Sequence, residues 1–136
     1  MDKKNETQPD QQTIEEILNL YKSGKLNKAK KKIENCIKKF QKSFVLFNIL
    51  GGVYASQDEL EVAINHHKKS IEINPDYAEG YNNLGIAFQK LGLFEEAVKN
   101  FKKTLKLKPN FSLAYNNLGV ALKSLNKLDE ALVTLK

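Results

Sequence analysis

The stretch AEGYNNLGIAFQKLGLFEEAVKNFKKTLKLKPNF, residues 78–111, lies over its own neighbours when shifted by 34 positions in either direction. Gly51, Gly85 and Gly119 then share one column, Tyr54, Phe88 and Leu122 a second, Ala29, Ala63, Ala97 and Ala131 a third, and Pro75 and Pro109 a fourth. A fixed period of this length marks a stacked array, in which each unit buries its apolar face against the next. The register predicts units at 10–43, 44–77, 78–111 and 112–136.

Inside each unit the apolar residues recur at helical spacing and fall into two helices. The first unit opens with Ile14, Ile17, Leu18 and Tyr21, capped by Asp10 or by Thr13 with Glu16 three residues on, and breaks at Ser23 and Gly24. Its second helix is predicted over 26–40. The second unit reads as helices 44–56 and 60–73, ended by Pro75, which cannot continue a helix. The third repeats this with a break at Leu91 and Gly92 and a stop at Pro109. The fourth starts at Ser112, is expected to turn at Asn126 and Lys127, and stops at Lys136 partway through its second helix. Residues 1–9 have too little apolar surface to offset their ordering entropy and are expected to form a disordered tail.

A glycine inside a helix is worse than alanine by up to ~1 kcal/mol, so the column at 51, 85 and 119 implies another helix crossing close to the backbone. Alanine does the same on the second helix. Phe47, Tyr81 and Tyr115, with Leu50, Leu84 and Leu118, supply the bulk between helices.

These residues resemble the tetratricopeptide repeat. Tyr81, Leu84, Gly85, Phe88, Ala97, Phe101 and Pro109 reproduce its pattern, closely over 44–136 and loosely over 10–43, where Thr13, Ile17 and Gln41 depart from it. His67 stands where the second helix should carry an aromatic. The resemblance implies an all-α fold, a right-handed superhelical solenoid of antiparallel helix pairs. First helices then line a concave groove that binds protein partners, with no catalytic motif and no cofactor.

On that reading the groove residues are Asn48, Asn82, Asn83, Ile86, Gln89, Lys90, Asn116, Asn117, Val120 and Lys123. Asparagine offers both a donor and an acceptor, so a row of them one repeat apart suits the backbone of an extended peptide. Asn83 and Asn117 coincide with the asparagine ladder of O-linked N-acetylglucosamine transferase, whose repeat region this one resembles. Ile86 and Val120 add apolar spots for side chains. The Lys and Arg clamp used by related domains for chaperone carboxyl tails has no counterpart here.

Composition narrows the alternatives. All 22 basic residues are lysine, and the net charge is +6. Without arginine, bidentate reading of phosphates or bases is disfavoured, so nucleic acid is not an expected partner. The lysines crowd the first unit, including Lys25, Lys28, Lys30, Lys31, Lys32, Lys38 and Lys39, where weak attraction of nucleic acid or an acidic surface is the third reading. Cys36 has no disulfide partner and falls in a column with Ser70 and Thr104, as a buried thiol would. His66 and His67 lack a third ligand at helical spacing, so no metal is expected. No leader or membrane-spanning run is evident, and a cytoplasmic, non-enzymatic interaction module is the leading reading. Because the fourth unit breaks off, the second reading is a substrate-presenting portion of a larger enzyme such as a sulfotransferase or glycosyltransferase. Self-association through the unfinished unit is expected if the chain stands alone.

Overall fold

The computed structural model describes residues 7–134, with side chains described through Asp129. The helices are α1 (Gln11–Lys22), α2 (Leu26–Lys39), α3 (Phe44–Ser56), α4 (Leu60–Ile73), α5 (Ala78–Lys90), α6 (Phe94–Leu107) and α7 (Ser112–Thr134), and no strand occurs among the described residues. The chain divides after Pro75 into two compact units, α1–α4 and α5–α7.

In the first unit α1 packs on α2, α2 on α3 and α3 on α4. Its core is built from Ile17, Ala29, Ile33, Leu46, Leu50 and Val53. Cys36 is half-buried against this core, less enclosed than its column suggests, whereas Ser70 and Thr104 are fully buried. The choice of cap for α1 falls to Asp10, which accepts from the Thr13 N–H at 2.8 Å. Ser43 caps α3 by accepting from the Leu46 N–H at 3.2 Å and also donates to Gln8 Oε1. Residues 1–6 of the expected tail lie outside the described residues. Gln8 and Pro9, placed in that tail by composition, instead pack on the fold: Pro9 is buried, and Gln8 holds the Ser43 hydroxyl.

In the second unit α5 packs on α6, α6 on α7, and α5 also touches α7. The glycine column has the predicted cause in two of its three members. A Cβ on Gly85 would lie 2.6 Å from Cε1 of Phe101, and one on Gly51 in the first unit would lie 2.6 Å from Cε1 of His67. On Gly119 it would meet nothing within 4 Å.

The third member differs because the fourth repeat does not turn. Helix α7 runs unbroken through Asn126 and Lys127, where the turn was expected. Each of the other turns has a residue in left-handed conformation at the same register position: Gly24 (φ 77°), Asp58 (φ 62°) and Gly92 (φ 80°). Asparagine tolerates that conformation but does not demand it, and continuing the helix keeps every backbone hydrogen bond local. Asp58 bears the strain that its glycine counterparts avoid. Asp58→Gly is expected to stabilise the chain by about 0.5–1 kcal/mol in urea unfolding; a destabilised variant would show that the aspartate is held there by its side chain.

Candidate functional site

The residues predicted to line a groove divide between the two units. In the first unit Asn48 is a correction. It is only 6% exposed, and its Oδ1 lies 2.9 Å from Nδ1 of His67, itself 1% exposed. The amide oxygen accepts, so the imidazole carries its proton on Nδ1. Burial, with a smaller contribution from neighbouring His66, pushes the His67 pKa down to about 4, and the ring is neutral at physiological pH. Beside it His66 stacks on Tyr54, with centroids 5.2 Å apart, and burial lowers its pKa too. Asn48 and His67 are thus an internal polar pair that offers no surface to a ligand.

In the second unit Asn82 is likewise buried, at 4% exposure, and its Oδ1 accepts from Nδ2 of Asn117 at 3.3 Å. That bond ties α5 to α7 and lays their first-helix faces side by side. Along α5 the face carries Asn83, Ile86 and Gln89, all half-buried, then exposed Lys90. Along α7 it carries Asn116, half-buried Asn117, Val120 and Lys123, of which Asn116, Val120 and Lys123 are exposed. The two rows repeat at 34 residues: amide at 83 and 117, apolar at 86 and 120. At one end Glu79 on α5 pairs with Lys108, which follows α6, at 3.3 Å.

A second concave place is a recess of about 580 Å³ against α2, lined by Thr13, Lys28, Lys31, Lys32, Asn35, Cys36, Lys39 and Phe40. Its charge is partly spoken for. Lys32 bonds Glu16 at 2.7 Å, holding that carboxyl below the usual range, and elsewhere in the lysine run Lys30 lies 4.4 Å from the Tyr54 ring centre. Among the described residues no three His, Cys, Asp or Glu side chains gather as metal ligands, and no helix is long and apolar enough to cross a membrane.

Paired helices crossing at small residues, with an amide-bearing face on the first helices, define a repeat scaffold. Tetratricopeptide-repeat models match residues 51–92, 78–111 and 100–133, and the chain belongs to the tetratricopeptide-repeat family. No curated protein matches the sequence. Among solved structures, the crystal structure of MamA protein is 27% identical with a TM-score of 0.76, over 88% of this chain and 66% of MamA. The first repeat domain of Spaghetti (RPAP3), bound to the HSP90 peptide SRMEEVD, is 24% identical with a TM-score of 0.81, over 84% of this chain and 93% of that one. The Sgt2 repeat domain of Aspergillus fumigatus is 12% identical with a TM-score of 0.84, over 91% and 85%. The last two speak for the fold alone.

Proposed function

We propose that the chain is an interaction module and that the α5–α7 face takes an extended peptide. The observation that carries this reading is the alignment of the two rows by the Asn117 to Asn82 bond. It presents amides and apolar side chains in alternation, which suits a ligand whose backbone is hydrogen-bonded while alternate side chains touch Ile86 and Val120. That a domain of this fold holds an HSP90 peptide is consistent with such use. The face includes Lys90 and Lys123, so peptides with acidic residues are favoured over basic ones.

An array of short peptides tests it. With the best-binding peptide, Asn83→Ala/Asn117→Ala is expected to weaken binding about tenfold, the size of one or two lost hydrogen bonds, without loss of helical circular dichroism. Unchanged affinity of the folded variant would remove the amide rows from the binding surface.

A further inference from the structure

We propose that the recess on α2 takes an acidic peptide segment through one aromatic side chain, whose ring fills a place that the first repeat leaves uncovered and whose flanking carboxylates pair with Lys28 and Lys31.

The uncovered place follows from the 34-residue register. Thr13 stands in the column of Phe47 and Tyr81, the large rings that the next two repeats carry on their first helices. Each of those rings rests against the second helix of its own repeat. The Phe47 ring stacks on His66 with centroids 6.2 Å apart, and Lys103 Nζ lies 5.7 Å from the centre of the Tyr81 ring. The counterparts of His66 and Lys103 in the first repeat are Lys32 and Asn35, and both line the recess together with Thr13. A threonine is too short to cover what a ring covers. The recess of about 580 Å³ therefore lies where the column elsewhere carries an aromatic side chain. Its size falls within the range of ordinary ligand pockets, roughly 300–1,000 Å³. Half-buried Phe40 and Cys36, with the stems of the lysines, give it apolar walls for a ring.

Charge selects what accompanies the ring. Lys28, Lys31, Lys32 and Lys39 all line the recess, whereas the single carboxylate of α2, Glu34, acts on His66 and Tyr54 from another side of the helix. Lys32 is taken by Glu16. Lys39 holds its Nζ 5.4 Å from the centre of the Phe40 ring and feels the Asp10 carboxylate. Lys28 and Lys31 are exposed and have no carboxylate partner among the described residues. Lysine is a mobile point charge, so the pair favours Asp or Glu side chains on either side of the ring without demanding one geometry. The site shares no residue with the α5–α7 face and does not depend on its use.

The test uses the 136-residue chain and a short fluorescent peptide of glutamates around a central phenylalanine. Anisotropy is expected to show saturable binding, weakened about tenfold or more when alanine replaces the phenylalanine of the peptide. Equal affinity for the alanine peptide, or no binding of either, overturns the proposal. Thr13→Phe restores the ring of its column and is expected to abolish binding with helical circular dichroism unchanged. Lys28→Glu/Lys31→Glu, at exposed positions, is expected to do the same by reversing charge. Retained affinity in either folded variant overturns the site. Cys36 is the only cysteine of the chain and lines the recess, so saturating peptide is expected to slow its alkylation by iodoacetamide several-fold. An unchanged rate assigns the peptide to another surface, the α5–α7 face included, and overturns the site as well. An oligodeoxythymidylate of matched charge that competes as strongly as the peptide would make the recess a general polyanion surface and overturn the choice of occupant.

Discussion

Phe101→Ala is expected to lower the unfolding free energy by about 3–5 kcal/mol, measured by urea denaturation followed by circular dichroism. The ring is fully buried and its edge stands 2.6 Å from where a Cβ on Gly85 would be, so deleting it opens a void between α5 and α6. Two helix backbones joined by a short turn have little freedom to collapse into that space. The same contact makes a second, opposite forecast. In the native background Gly85→Ala gains up to ~1 kcal/mol of helix propensity yet collides with a buried ring, and a net loss of about 1–3 kcal/mol is expected. In the Phe101→Ala background the collision is gone, so Gly85→Ala should become stabilising. A double-mutant cycle with simple additivity would show that the two residues do not share this space.

Acid should destabilise the first unit earlier than carboxylate titration alone allows. His67 has a folded pKa of about 4 against an ordinary 6.5, because protonating it would put a charge in the core beside Asn48. Above pH ~6.5 the ring is neutral in both states and has no effect on the pH profile. Between 6.5 and 4 the unfolded chain binds the proton and the folded chain does not, so stability falls with falling pH. The full loss is about 3 kcal/mol, complete once the pH drops below the folded value. The carboxyls of Asp10, lowered by hydrogen bonds from Thr13, and of Glu16, lowered by Lys32, lose their contribution only further down. In His67→Phe, the residue type that its column carries at 101, the decline between pH 6.5 and 4 should shrink to the part that His66, also lowered by burial, contributes, at the expense of about 1–3 kcal/mol at pH 7 from the Asn48 amide oxygen losing the imidazole N–H. An unchanged slope in that variant would assign the acid sensitivity to other groups.

What the sequence made legible was whatever depends on spacing. Helix boundaries through α6, the stops before Pro75 and Pro109, and the close approach at Gly51 and Gly85 all follow from the 34-residue register. What it hid depends on partners distant in the chain. Asn48, Asn82 and Asn116 share a column, yet Asn48 is buried against His67 on another helix, Asn82 against Asn117, and Asn116 is exposed. Spacing assigns a face; depth is set by what packs upon it. The straight course of α7 was hidden for a related reason, since Asn126 is compatible with either backbone conformation and carries no local signal that decides between them. Gln8 and Pro9 read as tail because the Ser43 hydroxyl that donates to Gln8 lies 35 residues away.

The buried Asn48 amide has one more effect, on how near-identical pieces find their correct neighbours. A chain of copies risks docking the right kind of helix in the wrong place while it folds. Were α6 to settle on α3, a phenyl ring would sit over Gly51 and strip Asn48 of its imidazole. That misplacement costs the buried amide its imidazole hydrogen bond, a penalty of about 1–3 kcal/mol. The histidine in repeat two thus acts as an address, telling otherwise interchangeable helices apart.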